Sequence, residues 1–262
     1  MEQLVLQIFS TQWHVILILG ALLLLAAEMG FRGGVSDSPH RDAKSRGILA
    51  TLQGSILGLL ALLLGFSFSM AVTRYDHRRD LVVEEANSIG TTYLRASFLP
   101  AQEQEIIKET LRQYVKNRIR FYDAGTDMGL VAETEQEAHA IHRILWYQLT
   151  QVSSTINNPL TAAFVSSLNQ CIDLDATRLA AMRNHVPPVV WLLLALVGIC
   201  GTSISGYQGG LAGRRIWVNQ VLFPLLIASV ITIMVDLDSP RRGLVDISQQ
   251  SLLDLDAALA KH

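Results

Sequence analysis

The chain has 262 residues, of which 50% are hydrophobic and 17% are charged, and its formal net charge is −2. Because soluble domains carry about 25% charged residues on average, this chain is poor in charge, and the deficit is local. No charged residue lies between Ile48 and Thr73 or between Val186 and Gly213, and both runs exceed the ~18 residues that indicate a membrane span. The composition excludes a disordered chain and disfavours a soluble enzyme, and the near-neutral charge gives no reason to expect a nucleic acid partner.

Four apolar spans follow one another along the chain. The first covers about 12–31 and the second about 48–72. The third starts after Pro187 and Pro188 and ends near Tyr207, and the fourth covers 216–235. The two prolines suit a helix start, because first-turn N–H groups have no helical partner. Glu28, near the end of the first span, is interpreted as a snorkelling or paired carboxylate.

The residues between the second and third spans have a different pattern. Apolar residues recur at helical spacing over 101–122 and 131–156, while Pro100, Pro159 and the segment 125–129 interrupt the pattern. Nothing alternates with a period of two, so no sheet is expected. The sequence therefore predicts an all-α integral membrane protein with four transmembrane helices and a helical extramembrane bundle. The predicted parts are a first transmembrane hairpin at 1–72, the extramembrane domain at 73–186, a second hairpin at 187–236, and a C-terminal amphipathic helix at 237–262.

The second span carries a polar stripe that an inert membrane anchor does not need. At 100° per residue, one 80° sector of this helix collects Thr51 and the residues Ser55, Gly58, Leu62, Phe66, Ser69 and Thr73. If the helix continues beyond the membrane without a kink, the same sector collects Asp76, Asp80 and Glu84, whereas Arg74 and Arg78 lie roughly opposite.

Two interpretations of this stripe remain open. In the structural one, Gly54, Gly58 and Gly65 let another helix approach closely, the hydroxyls bond their own helix, and the acids are a solvated face. In the functional one, several copies of the span surround a pathway in which Leu62 and Phe66 form an apolar constriction. Such constrictions gate by dewetting, and rings of acids concentrate cations at a pore mouth.

Charges also flank the ends of the second and fourth spans. The expectation is an ion-paired collar that holds these helices together, with a direct role in ion selection as the alternative. Its members are Arg74, Arg78 and Arg79 after the second span, and Asp236, Asp238, Arg241 and Arg242 after the fourth.

Catalytic and metal-binding patterns are weak. His139 and His142 share a predicted helix face, but no third ligand is fixed by spacing, so a solvated face is the better interpretation. Asp173 and Asp175 point different ways on a helix and do not form a catalytic pair. We therefore expect no enzyme, no metal and no cofactor.

The segment 64–75, LGFSFSMAVTRY, resembles the second transmembrane helix of bestrophins, in which an LGF triplet precedes a V-T-R-aromatic stretch. The segments 75–87, YDHRRDLVVEEAN, and 236–243, DLDSPRRG, are similar to a bacterial bestrophin-like family of unknown function. The resemblance to that bacterial family covers nearly the whole chain. The resemblance to true bestrophins covers about 25 residues around the second span and the number of spans.

Bestrophins are pentameric ion channels, so the resemblance implies a homo-oligomer in a lipid bilayer, here a bacterial inner membrane, that passes monovalent ions. It places the narrow neck on Gly58, Leu62 and Phe66, although Gly58 departs from the bulky residue expected outermost. Animal bestrophins pass anions, whereas the acids of the stripe predict a cation-preferring pore. The alternative function is a membrane-anchored scaffold without a pore.

The two sources of evidence on orientation disagree. The family resemblance implies a cytosolic bundle, whereas the Lys and Arg count of the short loops places those loops inside the cell and the bundle outside.

Overall fold

A computed structural model describes residues 12–38, 43–155, 158–241 and 245–261, and within these ranges the secondary structure is helical, with no strand. The predicted all-α class is confirmed. In chain order the α-helices are α1 Gln12–Asp37, α2 Ala43–Arg95, α3 Ala101–Asp123, α4 Met128–Thr155, α5 Pro159–Arg183, α6 Pro188–Leu211, α7 Phe223–Asp238 and α8 Gln250–Leu259, with a 3-10 turn at Ala96–Phe98 and a π-helical turn at Val218–Leu222.

Local chemistry explains several of the helix boundaries. Pro100 precedes α3, and Gly125 follows it with a φ of +52°, a conformation that costs glycine little. Asn158 caps α5 by accepting a hydrogen bond from the N–H of Thr161 at 2.8 Å. Pro188 occupies the first turn of α6, where its missing N–H costs no helical hydrogen bond.

Among the residues that the structure describes, four helical segments are long and apolar enough to cross a membrane. They lie in α1, in the first half of α2, in α6, and in the stretch Val218–Asp238. The four predicted spans are therefore confirmed by length and composition. The helix that contains the second span continues beyond the span, because α2 is a single helix of 53 residues from Ala43 to Arg95.

The chain divides into two compact units. The membrane unit consists of the chain up to Arg74 together with His185–Val245. Its tightest packing joins α1 to α6, where the backbones touch at glycines. A Cβ on Gly206 would lie 2.0 Å from the Ala27 carbonyl oxygen, and one on Gly30 would lie 2.0 Å from that of Ser203. Such small residues let transmembrane helices approach closely and gain van der Waals contact.

The bundle unit consists of Tyr75–Asn184 and Asp246–His262. Its apolar core draws on α2, α3, α4, α5 and the C-terminal segment, with Ile89, Leu111, Leu145, Phe164 and Leu252 fully buried. The C-terminal helix α8 begins only at Gln250, later than the sequence pattern indicates. Residues 245–249 are not helical, and the N–H of Ile247 instead donates to the Tyr122 hydroxyl at 2.9 Å. Arg242 and Leu244 lie outside the described residues.

Candidate pore-lining helix and buried polar cluster

The stripe of α2 is exposed along its whole length within one chain. Leu62 is 54% exposed and Phe66 is 66% exposed. The remaining members of the stripe are exposed too: Thr51, Ser55, Gly58, Ser69, Thr73, Asp76, Asp80 and Glu84. Because α2 is one continuous helix, residues at this spacing lie on one face of it.

The glycines and hydroxyls of the second span have different surroundings. A Cβ added to Gly54, Gly58 or Gly65 would meet nothing within 4 Å among the described residues. No described helix of the same chain therefore packs on these glycines, and the close-packing interpretation then needs a neighbouring molecule. Ser55 donates to the Thr51 carbonyl at 3.1 Å, and Thr73 donates to that of Ser69 at 2.9 Å, as the structural interpretation expects. Each hydroxyl oxygen keeps lone pairs that can accept a further hydrogen bond.

The basic residues beside the acids lie in unequal surroundings. Arg78 is buried, and its guanidinium donates to the carbonyls of Ala181 at 3.1 Å and Asn184 at 2.8 Å. Arg79 is exposed and lies 3.8 Å from the Asp80 carboxylate. Exposed pairs of this kind are worth little, about 0–1 kcal/mol. Asp80 is thus a stripe acid that lies beside a basic side chain.

The two acids after the fourth span both bind backbone N–H groups. Asp236 accepts from the N–H of Val245 at 3.1 Å. Asp238 accepts from the N–H of Val186, at 3.1 Å and 2.9 Å to its two oxygens, and His185 Nδ1 lies 3.6 Å from it. These bonds tie the end of α7 to other segments of the membrane unit. The pairing of these acids with Arg74, Arg78 or Arg79 stays a prediction, and Arg242 is not among the described residues.

Glu28 is a paired carboxylate, as one of its two sequence interpretations expects. It accepts from Arg32 Nε at 2.8 Å and from both terminal nitrogens of Arg215 at 3.2 Å. The Arg215 guanidinium also lies 4.6 Å from the centre of the Phe31 ring. These contacts fasten the segment between α6 and α7 onto α1.

The bundle unit contains a buried ionic cluster that the sequence analysis missed. Glu85 is fully buried and accepts from Arg118 Nε at 2.8 Å and from Arg178 Nη1. Arg118 is 1% exposed and also pairs with Asp175 at 2.7 Å. Arg178 further donates to Gln249 at 3.1 Å. The cluster thus joins α2, α3 and α5 to the C-terminal segment.

A sequence signal for this cluster exists. Arg118 occupies a core position in the apolar spacing of α3, between Val115 and Phe121, and a charge at such a position requires a buried partner. Glu85 lies on the buried face of α2 beside Val82 and Ile89, whereas its neighbour Glu84 is exposed.

Burial shifts the titration of three groups in and around the cluster. It lowers the pKa of Arg118, but Glu85, Tyr114 and Asp175 together raise that pKa above its ordinary value. Burial raises the pKa of Tyr114 well above its usual range, and the Glu85 charge adds to this effect. Burial lowers the pKa of His142, and this outweighs the opposite effect of Asp175.

The predicted solvated face for His142 is wrong, because the side chain packs against Tyr114 with ring centres 5.0 Å apart. His139 is exposed, as expected. The described residues contain no group of three metal-ligating side chains.

The comparisons with known proteins agree with this architecture. The model of the Bestrophin-like domain family matches residues 21–252. A search of curated proteins returned no match. Solved structures of a bacterial bestrophin homologue from Klebsiella pneumoniae are similar in fold.

The form of that homologue solved by Zn-SAD phasing is 15% identical, with a TM-score of 0.64, and the alignment covers 92% of this chain and 96% of that one. A single-substitution variant of it is 15% identical, with a TM-score of 0.65 and coverage of 93% and 98%. A second variant is 13% identical, with a TM-score of 0.61 and coverage of 92% and 97%. At this identity the structural likeness shows the fold, while the family model covers most of the chain. The protein belongs to the bestrophin-like family.

Proposed function

We propose that this protein is an oligomeric ion channel in which α2 lines the pore. One observation carries the proposal: a single face of α2, exposed throughout one chain, changes from hydroxyls and glycine to Leu62 and Phe66 and then to acids. A purely lipid-facing helix gains nothing from this order of residues. The channel function of bestrophins agrees with it.

Self-association is proposed because little of the second span is buried by other residues of its own chain. Only 17% of the most apolar stretch of α2 is buried within one chain, against 39%, 39% and 33% for the other spans. One helix cannot enclose a pathway, so several copies of α2 are needed around a shared axis. The family resemblance implies five copies.

The constriction is assigned to Leu62 and Phe66. They are the only large apolar members of the stripe, and both side chains project away from the rest of their own chain. Repeated around an axis, they form an apolar ring that dewets and blocks ions when it is narrow.

Shrinking this ring tests the assignment. Replacing both Leu62 and Phe66 by Ala widens and wets it, so conductance in planar bilayers should rise or the channel should leak. Phe68→Ala is the matched control, because Phe68 is 43% exposed but lies about 160° around the helix from Phe66. An unchanged current in the double variant, with folding and assembly intact, contradicts the gate.

Cation preference is proposed for the mouth formed by Asp76, Asp80 and Glu84. In a ring each acid is repeated, and the summed potential of converging carboxylates attracts cations, most strongly in a narrow vestibule. Arg78 lies roughly opposite these acids around the helix, and its guanidinium donates to the carbonyls of Ala181 and Asn184.

Reversal potentials measured under a KCl gradient test whether the channel prefers cations or anions. We expect cation preference in the wild type and a shift toward zero when Asp76→Asn and Asp80→Asn are combined. Glu105→Gln, which removes an exposed carboxylate from α3, should leave the potential unchanged. Anion preference in the wild type overturns the proposal, and so does an unshifted potential in the double variant. A monomeric protein without current favours the scaffold function instead.

A further inference from the structure

Five side-chain polar atoms of the bundle unit, Ser88 Oγ and Asn117 Oδ1 among them, are buried without a hydrogen-bond partner in the described residues, and the other three lie on neighbouring side chains. These three are the Tyr114 hydroxyl, Nη2 of Arg118 and Nε2 of His142. Tyr114 is 0% exposed, Arg118 is 1% exposed and His142 is 9% exposed. An unsatisfied buried polar atom costs about 1–3 kcal/mol, so native proteins rarely keep three in one place.

The three side chains are neighbours. The Tyr114 and His142 rings lie 5.0 Å apart, and the Arg118 guanidinium carbon lies 6.0 Å from the centre of the Tyr114 ring. Arg118 Nη1 and His142 Nδ1 face the two oxygens of the same Asp175 carboxylate, at 2.7 Å and 4.0 Å. Nη2 and Nε2 are therefore the remaining polar atoms of two groups that lie beside the same carboxylate.

The charges of the cluster decide what kind of partner fits. Glu85 and Asp175 balance Arg118 and Arg178, and the lowered pKa keeps His142 neutral at pH 7. An anion or a cation would upset this balance in a buried site. A small neutral molecule that both donates and accepts hydrogen bonds meets all three atoms, because Arg118 only donates while the hydroxyl and a neutral imidazole also accept.

We propose that Tyr114, Arg118 and His142 bind an internal water molecule within the bundle unit. The water satisfies the three side chains and links α3 to α4 beside the ionic cluster. Waters that bridge buried polar groups in this way are part of a native structure and are costly to remove.

Replacing one of the three side chains that bind the water tests the proposal, because the direction in which the melting temperature changes depends on whether the water is there. If the Tyr114 hydroxyl binds water, Tyr114→Phe loses a hydrogen bond and the melting temperature should fall by about 2–4 °C. If the hydroxyl has no partner, the same change removes an unsatisfied polar group and the melting temperature rises. Tyr147→Phe is the control, because Tyr147 is 60% exposed and its loss should leave the melting temperature unchanged.

Two further measurements separate water from an ion and from an empty site. A structure of the full-length protein at about 2 Å resolution should show a density peak within hydrogen-bond distance of the three atoms. Exchanging chloride for gluconate should leave the melting temperature of the wild type unchanged. A higher melting temperature or no change in Tyr114→Phe, no peak, or a chloride-dependent melting temperature overturns the proposal.

Discussion

Glu84 and Glu85 are adjacent residues with opposite surroundings. A comparison of variants at the two positions therefore measures how much the buried cluster contributes to the free energy of unfolding. The Glu85 carboxylate binds two buried guanidinium groups, whereas Glu84 is exposed on the α2 stripe. We predict that Glu85→Gln lowers the free energy of unfolding by about 3–5 kcal/mol, because it leaves buried positive charge uncompensated.

Unfolding in detergent measures this cost. Glu84→Gln is the control for this stability measurement, although not for ion preference. It should change the free energy of unfolding by no more than about 0.5 kcal/mol. Equal effects of the two variants contradict a buried ionic cluster.

His142 makes the bundle unit sensitive to acid. Because the pKa of His142 is lowered in the fold, the unfolded chain binds a proton more readily than the folded chain, and stability decreases as the pH falls. The loss begins near the unfolded value of about 6.5 and ends below the folded pKa. Asp175 opposes the lowered pKa, while the nearby Arg118 and His139 charges reinforce it.

Melting temperatures between pH 7.5 and 5 check this dependence. The wild type should lose more stability over this range than His142→Gln, which removes the titrating group. A wild type whose pH profile matches that of the variant contradicts the role of His142.

Asp238 stabilises the membrane unit through the backbone N–H of Val186, which binds both carboxylate oxygens. We predict that Asp238→Ala lowers the melting temperature, because a buried N–H without an acceptor costs about 1–3 kcal/mol. Asp238→Asn keeps one oxygen at the N–H and should lose less. Equal melting of the two variants would show that the N–H contact contributes nothing, and the predicted collar with Arg74, Arg78 and Arg79 would then have to explain any loss.

At the scale of helices, the contact between α1 and α6 depends on glycine, while the second span has glycines that touch nothing. Gly206→Ala places a methyl group 2.0 Å from the Ala27 carbonyl oxygen, so the two helices must separate. We predict loss of folded protein from detergent extracts, measured by size-exclusion chromatography.

Gly54→Ala is the matched control, because a methyl group at Gly54 meets nothing within 4 Å among the described residues. The variant should fold like the wild type and gain about 0.5–1 kcal/mol in helix stability. If both variants fold equally well, the close approach of α1 and α6 is not needed.

Features of this structure could be predicted from the sequence where the interacting residues lie within one helix, and could not where they lie on different helices. The spans and the polar stripe of α2 could be predicted, because both are patterns within a single helix. The cluster of Glu85, Arg118 and Asp175 could not, because its members come from three helices that only the tertiary fold brings together. Local spacing places Arg118 among the core positions of its helix but does not identify its partners, and it made His142 look like a surface residue.

For the whole molecule, the exposed face of α2 predicts an assembly of several chains. Light scattering of the detergent complex, corrected for bound detergent, should give a mass several times the 28.9 kDa of one chain. A monodisperse single chain that still conducts ions contradicts the shared pore.

The most direct test of the pore is chemical access to α2 during conduction. Cysteines are introduced singly at Leu62, Phe66 and Phe68 in a Cys200→Ser background, where the buried Cys171 is the only native thiol left. A water-soluble, charged thiol reagent is added while current through reconstituted channels is recorded. The pore assignment predicts block at positions 62 and 66 and none at 68, whereas block at 68 alone, or no block at 62 and 66 despite confirmed labelling, contradicts it.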